Sequence, residues 1–178
     1  MEDDYVDVIA AGIEPLGPVE ILVNNAGGSR AFGMDGTEPQ WEEAFTLNFT
    51  RHRQLTHALL DQMIANGWGR IINITGKSEP ESINGAFCAK AAMHSWAKGL
   101  SREVGRHGIT VNSIPPGRII SDQILRNYAP EYRQWQAEHE IPVGRYGAAE
   151  DLGYLVAFLA SPRASYITGA VIPVDGGL

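Results

Sequence analysis

The stretch from Arg70 to Gly117 constrains the fold most, because it predicts a strand, a long helix and a second strand in succession. Residues 70–75 form a nearly continuous apolar run, which is typical of a strand buried on both faces of a parallel sheet. Apolar residues then recur at helical spacing from about 83 to 107. The second strand, 109–114, returns through a right-handed crossover and lies parallel to the first. Both strands therefore end at the edge where open α/β sheets bind ligands, and Lys90 is expected at that edge.

The rest of the chain predicts further elements of the same two kinds. They are a helix over 5–14, a strand over 19–23, a helical region over 37–66, a helix over 149–160 and a strand over 170–174. Strands that alternate with amphipathic helices indicate an α/β fold, with a doubly wound parallel sheet and helices on both faces.

Composition argues against several classes of partner. The 178 residues carry a formal net charge of -7 and contain no run of lysine or arginine, which argues against nucleic acid or an anionic membrane surface. No apolar run approaches the ~18 residues of a transmembrane helix, and the acidic opening at 1–4 is unlike a signal peptide. We therefore expect a cytoplasmic protein. The single cysteine, Cys88, is expected to be a small packing residue, and no metal site is predicted.

Four short motifs are similar in order and spacing to those of a known family. They are Asn24-Asn25-Ala26-Gly27, Ala89-Lys90-Ala91-Ala92, Val111-Asn112-Ser113-Ile114-Pro115-Pro116-Gly117, and Ile167-Thr168-Gly169 with Val174-Asp175-Gly176-Gly177. Together they resemble the short-chain dehydrogenase/reductase family over about residues 5 to 178. The resemblance implies a single Rossmann-like domain, 1–178, which contains strands four to seven of the family's sheet and lacks its glycine-rich half.

The resemblance also implies NAD or NADP as the cofactor. The missing part of the family fold normally carries the glycine-rich turn that receives the cofactor pyrophosphate. Since no Gly-x-x-x-Gly-x-Gly occurs in these residues, we do not expect this chain alone to bind the cofactor tightly. The cofactor contacts carried over from the family fall on Asn25, Ala26, Gly27, Lys90, Pro116, Gly117, Ile119 and Ser121.

Reduction of a carbonyl by hydride requires an acid beside the carbonyl oxygen. The family uses a serine, a tyrosine and a lysine, and its tyrosine lies one helical turn before the lysine, whose ammonium favours the phenolate. With Lys90 as the lysine, the tyrosine position is Ala86 and the serine position is Gly76, with an ambiguity of one residue. Phe87 follows the tyrosine position, but its ring has no hydroxyl and is expected to point about 100° away around the helix.

Four residues remain as candidates for catalysis: Asn48, Lys90, Lys77 and Ser78. In the family, an asparagine at the position of Asn48 kinks a helix and holds a water of the proton relay, although a polar residue also bends a helix by bonding its own backbone. Lys90 either touches the ribose of a nicotinamide or borders a solvent-filled cleft. Lys77 and Ser78 lack the earlier glycine of a phosphate loop, so we assign them to polarising a substrate oxygen.

Two functions are compatible with these residues. The first is an NAD(P)-dependent short-chain oxidoreductase that acts on a hydroxyl or ketone of a small molecule, similar to 3-oxoacyl reductases. The second is a non-catalytic family member that acts as a dimerising scaffold or partner. A homo-oligomer is expected, because the family pairs through two long helices and the strand at 19–23 is left as an apolar edge.

The segment 118–144 is expected to form the family's substrate lid or one surface helix.

Overall fold

The computed structural model describes residues 5–30, 32–76 and 82–178, which contain seven α-helices and three β-strands. The helices are α1 (Tyr5–Ile13), α2 (Glu38–Phe45), α3 (Arg51–Asn66), α4 (Gly85–Val104), α5 (Asp122–Asn127), α6 (Pro130–His139) and α7 (Ala149–Ala160). The strands are β1 (Ile21–Asn24), β2 (Gly69–Ile74) and β3 (Ile109–Ile114), and a π-helical turn, Thr46–Thr50, joins α2 to α3. None of the described helices has the length and apolar character needed to cross a membrane.

The three strands form one parallel sheet in the order β1-β2-β3. The central strand, β2, pairs with β3 from Gly69 opposite Ile109 to Ile74 opposite Ile114. All of β3 is buried, as is all of β2 except its last residue, because helices cover both faces of the sheet. The predicted α/β class and the doubly wound parallel sheet are confirmed, and three parallel strands fit a partial Rossmann fold.

Helices on the two faces of the sheet build two separate apolar clusters. On one face, Met63 of α3 and Leu100 of α4 belong to a cluster of buried residues that includes β2 and β3. On the other face, Leu159 of α7 packs with Ile72 and Ile114. Leu159, Ile72 and Ile114 are at most 1% exposed, so the two outer layers are held to the sheet by close apolar packing.

The last predicted strand, 170–174, is only partly formed. Its residues pair in parallel with the chain at the end of β3 through isolated bridges at Ser113 and Pro116. The backbone N–H groups that donate between the two segments belong to Ser113, Ile172, Val174 and Gly117. Pro115 lies between Ser113 and Gly117 and has no N–H to donate, so the ladder is interrupted there. The segment therefore occupies the position of a fourth strand without forming a continuous one.

Two helices, rather than one, occupy the segment 118–144. Ser121 Oγ accepts a hydrogen bond from the backbone N–H of Ile124 at 3.3 Å and caps α5. Pro130 then begins α6, because its ring fixes a helical φ and the first turn does not use its missing N–H. The expectation of a single surface helix is wrong, and the role of this segment as a substrate lid stays a prediction.

The helix α4 begins at Asn84, whose side chain accepts hydrogen bonds from the backbone N–H groups of Ala86 at 3.0 Å and Phe87 at 3.3 Å. One stripe of the helix is buried against the sheet and includes Met93, which is 0% exposed. Cys88 lies outside this stripe and is exposed. The expectation that Cys88 is a packing residue is therefore wrong, since the helical repeat turns it away from the core.

The strand β1 forms an open edge of the sheet. It pairs with β2 on one side, and none of the described residues pairs with its other side. Ile21 and Val23 are 45% and 39% exposed, although both are large apolar side chains. An unpaired edge of this kind offers backbone N–H and C=O groups, together with apolar surface, to a strand of another chain.

We expect Val23→Lys to shift the protein toward the monomer, because a lysine on an edge strand opposes pairing with another chain. Light scattering at tens of micromolar protein measures the average mass. Tyr166→Lys is the matched control, since Tyr166 is fully exposed at 101% and lies outside the sheet. An equal decrease in average mass in both variants, or a monomeric parent protein, would contradict self-association through the edge of β1.

Asp151 closes the first turn of α7. It accepts a hydrogen bond from the backbone N–H of Ala148 at 2.8 Å and from Arg145 Nη1 at 2.7 Å. The hydrogen bond from Arg145, followed by the one from Ala148, lowers the pKa of Asp151 from 3.8 to about 2. Because the folded pKa lies below the unfolded one, the stabilisation is present above the unfolded pKa and is lost as the pH falls through about 2.

Asp151→Asn should therefore lower the Tm at neutral pH, and its difference from the parent should shrink as the pH falls from about 4 to about 2. Thermal melts followed by circular dichroism at each pH provide the measurement. Glu150→Gln is the matched control, because Glu150 lies in the same turn and forms no ion pair in the described part of the chain. A Tm difference for Asp151→Asn that is independent of pH would show that the charge of Asp151 contributes nothing.

Candidate active site

Hydrogen bonds between buried side chains mark the carboxyl ends of β1 and β2. Asn24 Nδ2 donates to Asn73 Oδ1 at 2.8 Å and to Thr56 Oγ1 at 3.0 Å. Asn24 ends β1, Asn73 is its neighbour on β2, and Thr56 belongs to α3. All three residues are at most 3% exposed. These bonds fix α3 to the sheet edge at which the sequence predicts the site.

Asn48 lies in the π-helical turn and is 2% exposed. Its Nδ2 donates to the carbonyl oxygens of Gly28 and Ala44, both at 2.9 Å, and its Oδ1 accepts from the N–H of Gly28 at 3.1 Å. The bond to Ala44 reaches the backbone four residues earlier, which is the local bonding that distorts a helix. Asn48 thus ties the loop after β1 to the helix, and its predicted part in a proton relay stays a prediction.

Lys90 lies on α4 beside the end of β2. A Cβ atom placed on Gly76, the second residue after β2, would lie 3.1 Å from Lys90 Cδ. Burial lowers the pKa of Lys90 below its ordinary value. In the described ranges Lys90 forms neither an ion pair nor a hydrogen bond. Its ammonium is therefore a partly desolvated donor at the ligand-binding edge of the sheet.

His52 is a buried residue of this site that the sequence pattern did not indicate. It lies on α3, four residues from both Asn48 and Thr56, and is 8% exposed. Burial lowers the pKa of His52, a hydrogen bond to the backbone of Ala26 acts in the opposite direction, and the charge of Lys90 lowers the pKa again. Its Nε2 is buried without a partner in the described part of the chain. The helical spacing of His52 from Asn48 is the signal that could have revealed it.

A second pair that the sequence did not indicate holds α4 to β2. Thr75 Oγ1 and His94 Nε2 lie 2.7 Å apart, within hydrogen-bond distance. Thr75 directly follows β2 and is 2% exposed, and His94 lies on α4 one turn after Lys90. Burial lowers the pKa of His94 below its ordinary value. The contact fixes the part of α4 that carries Lys90.

Gly76 and Ala86, which the resemblance matches to the family's serine and tyrosine, both lie close to Lys90. A Cβ on Gly76 would meet the Phe87 ring at 3.3 Å as well as Lys90. Phe87 therefore lies nearer the site than its position around the helix implied, but it carries no hydroxyl. Ala86 precedes Lys90 by one turn and is 2% exposed, so a larger side chain there would have to displace its neighbours.

The predicted cofactor contacts after β1 lie next to this cluster. Residues 25–27 are exposed, although the backbone of Ala26 is hydrogen-bonded to His52. A Cβ on Gly27 would lie 3.0 Å from Asn48 Oδ1, which shows how closely the turn passes over that side chain. Lys77 and Ser78, the two other candidates for catalysis, lie outside the described residues.

The predicted cofactor contacts that follow β3 form a separate group. Gly117 packs tightly on Asp175, whose Cα would lie 2.5 Å from a Cβ at position 117. Ile119 lines a cavity of about 350 Å³, which Lys90 does not line. Ser121 uses its side-chain oxygen to cap α5. Because β1 and β3 flank β2, the residues after β1 and those after β3 lie on opposite sides of the end of β2, where Lys90 lies.

The residues around Lys90 fit one half of a nicotinamide cofactor. An ammonium with no acceptor suits the hydroxyl oxygens of a ribose, and the exposed residues 25–27 leave room beside it for a nucleotide. Within the described residues, no glycine-rich turn lies before a helix in the way that would bind the cofactor pyrophosphate. In the same ranges no three His, Cys, Asp or Glu side chains are placed to hold a metal ion.

A family model described as Enoyl-(Acyl carrier protein) reductase matches residues 1–178. The 3-oxoacyl-[acyl-carrier-protein] reductase FabG of Pseudomonas aeruginosa is 37% identical over 167 residues, which cover 92% of this chain and 67% of that protein. The chain belongs to the short-chain dehydrogenase/reductase family. The family assignment made from the four motifs is thus confirmed.

Other short-chain dehydrogenases/reductases show the same relation to this chain. The acetoacetyl-CoA reductase of Rhizobium meliloti is 40% identical over 177 residues, which cover 97% of this chain and 73% of that protein. The structure of a 7α-hydroxysteroid dehydrogenase, complexed with NADH and 7-oxo glycochenodeoxycholic acid, matches with a TM-score of 0.90 at 31% identity. That match covers 99% of this chain and 70% of the dehydrogenase, so this chain spans about 70% of the length of these family members.

Asn48→Ala should destabilise the fold, because it leaves partly buried backbone groups of Gly28 and Ala44 without the hydrogen bonds of the Asn48 amide. We expect a loss of about 1–3 kcal/mol in the free energy of unfolding, measured by urea denaturation. Asn66→Ala is the matched control, since Asn66 is exposed at the far end of α3. Equal stability losses in the two variants would contradict a structural role for the Asn48 amide.

Proposed function

We propose that this chain takes part in the NAD(P)-dependent reduction of a ketone, or the oxidation of the corresponding hydroxyl. The observation that carries the proposal is Lys90, a partly desolvated ammonium without an acceptor in the described residues. It lies at the carboxyl edge of a parallel sheet, where α/β folds bind their ligands. The family membership, and the NADH in the related 7α-hydroxysteroid dehydrogenase structure, support the same class of reaction.

The proposed substrate class is a 3-oxoacyl thioester. The two sequence relatives described above are named a 3-oxoacyl-[acyl-carrier-protein] reductase and an acetoacetyl-CoA reductase. These names share a ketone on the third carbon of an acyl chain that is joined to a carrier through a thioester. Such a ketone requires only hydride and one proton, which is the chemistry available beside Lys90.

A nicotinamide cofactor supplies the hydride when it is bound. The residues of this chain orient the reactants and supply the proton. Burial of Lys90 disfavours its charged form, which makes the ammonium a better proton donor than an exposed lysine. Asn48 bonds Gly28 and so holds the turn after β1 in place, and the contact between Thr75 and His94 holds α4.

The proposed domain organisation is a single Rossmann-like domain, 1–178, without the glycine-rich half of the family fold. Three observations support it: the open edge of β1 in the described sheet, the absence of a Gly-x-x-x-Gly-x-Gly run in the sequence, and the partial coverage of the relatives. Cofactor affinity in this chain is proposed to be weak, because the pyrophosphate contacts contribute much of the binding.

A second candidate function is that of a non-catalytic, dimerising scaffold. Ala86 favours it, because alanine at the position matched to the family's tyrosine removes that acid. The exposed apolar side chains on β1 also favour self-association, so a homo-oligomer belongs to both candidates. Turnover of a ketone separates the two, since only the first candidate requires it.

Fluorescence titration of the 178-residue chain with NADH and NADPH should show no micromolar affinity.

The protein as its gene encodes it should oxidise NADPH in the presence of acetoacetyl-CoA, and Lys90→Met should lower kcat/KM by about 10²-fold or more. Lys98→Met is the matched control, because Lys98 is exposed two turns later on α4. Absence of turnover, or equal rates in the two variants, would favour the scaffold.

A further inference from the structure

The helix α6 is attached to the rest of the protein through little apolar surface. Its buried residues are Gln136 and Ala137, whereas Tyr132 and Trp135 are 46% and 47% exposed although both are large aromatic residues. Gln136 is 2% exposed, and a buried amide requires hydrogen-bond partners at its oxygen and at its nitrogen. The partners of Gln136 therefore determine how α6 is held.

Gln136 bonds two side chains outside the helix. Its Oε1 accepts from the hydroxyl of Tyr146 at 2.5 Å, and its Nε2 donates to Oε2 of Glu140 at 3.1 Å. A carboxylate only accepts hydrogen bonds, so the amide nitrogen must face Glu140 and the orientation of the amide is fixed. The same Oε2 of Glu140 forms an ion pair with Nη2 of Arg118. Gln136 is thus bonded to the segment before α7 and, through Glu140, to the segment after β3.

The backbones of these two segments are themselves paired. The N–H of Gly147 donates to the carbonyl oxygen of Arg118, and the N–H of Ile120 donates to the carbonyl oxygen of Gly147, both at 2.9 Å. Together with the side-chain bonds, this pairing closes a ring of contacts. The Gln136 ring consists of Gln136, Tyr146, Gly147, Arg118 and Glu140. Movement of α6 away from the sheet would therefore break bonds in both segments.

The Gln136 ring borders the cavity of about 350 Å³. Arg118 and Gly147 line this cavity together with Ile119. A Cβ on Gly147 would lie 2.5 Å from Ile119 Cδ1, so these two residues are in close contact. A cavity of this volume suits part of a bound cofactor or substrate, and Ile119 is one of the predicted cofactor contacts. Hydrogen bonds therefore connect the position of α6 with the shape of the cavity.

We propose that the buried amide of Gln136 is a positioning group for the cofactor, because it couples α6 to the cavity wall at Ile119. This role rests on the proposed oxidoreductase function, which makes the cofactor the ligand of the cavity. Gln136 touches no ligand in this scheme and acts through Arg118 and Tyr146. Loss of the ring leaves the cavity wall free to move, so the cofactor binds more weakly while the chemical step changes little.

The other side-chain hydrogen bonds of α6 do not provide this connection. Nη1 of Arg133 donates to the carbonyl oxygen of Tyr128 at 2.6 Å, and Nδ1 of His139 lies 2.8 Å from the carbonyl oxygen of Trp135. Both contacts remain within residues 128–139. Among the described residues, Gln136 is therefore the hydrogen-bonding side chain of α6 that reaches the segment before α7.

Hydrogen exchange followed by mass spectrometry tests the ring in the full 178-residue chain. Gln136→Met keeps the length of the side chain but bonds neither partner, so the amides of α6 and of 118–120 should exchange about fivefold faster or more. Gln134→Met is the matched control, because Gln134 is exposed on the same helix and its amide bonds Glu138 of that helix. Equal exchange at 118–120 in the two variants would overturn the coupling.

The effect on the cofactor is tested with the protein as its gene encodes it, with NADPH and acetoacetyl-CoA as the reactants. Gln136→Met should raise the KM for NADPH by about fivefold or more, with kcat and the KM for acetoacetyl-CoA near the parent values. Gln134→Met should leave all three parameters unchanged. A residue that only stabilised the fold would lower the Tm without this selective change in KM. Tyr146→Phe removes one bond of the ring and should raise the same KM by a smaller factor.

The outcomes separate this inference from the proposed function. Turnover with an unchanged KM for NADPH in Gln136→Met would overturn the coupling and leave the oxidoreductase function standing. A rise in the KM for acetoacetyl-CoA alone would also overturn it, since the ring would then act on the substrate. Absence of turnover in the parent would overturn the proposed function and the coupling with it, even if exchange at 118–120 responds. If Gln136→Met fails to fold, the same two measurements on Tyr146→Phe decide the matter.

Discussion

The buried amide of Asn24 is the interaction on which the candidate site depends. Its two N–H groups reach Asn73 on the neighbouring strand and Thr56 on α3, so one side chain joins three elements at the carboxyl edge of the sheet. A buried amide that lost either partner would carry an uncompensated desolvation cost, which makes the arrangement specific. The position of α3 relative to the sheet follows from it, and α3 carries His52.

Much of the fold could be predicted because its core strands are buried on both faces. Ile71, Ile72 and Val111 form apolar runs without alternation, and that pattern is typical of parallel strands covered by helices. The boundaries of α7 agree with the predicted 149–160, since its apolar stripe is regular. The last strand was predicted as continuous because hydrophobicity indicates burial but does not reveal the missing backbone donor at Pro115.

The candidate site could be predicted only in part. Lys90 and Asn48 were found through their family motifs, and the structure places both at the predicted edge of the sheet. The sequence analysis did not predict His52 or the contact of His94 with Thr75. The spacing of His52 from Asn48 indicates that the two share a face of the helix, but neither histidine shows in the sequence which groups it meets there. Their environment depends on how α3 and α4 meet the sheet, which is a property of tertiary packing.

The π-helical turn at Thr46–Thr50 sets which side chains of α3 face the site. A π turn holds one more residue than an α turn, so everything after it is rotated by the equivalent of one inserted residue, about 100° around the helix axis. His52 and Thr56 point to the sheet only with that extra residue present. The turn acts as a register shift: it turns residues 52 and 56, rather than their neighbours, into the buried interface, without any change in side-chain chemistry.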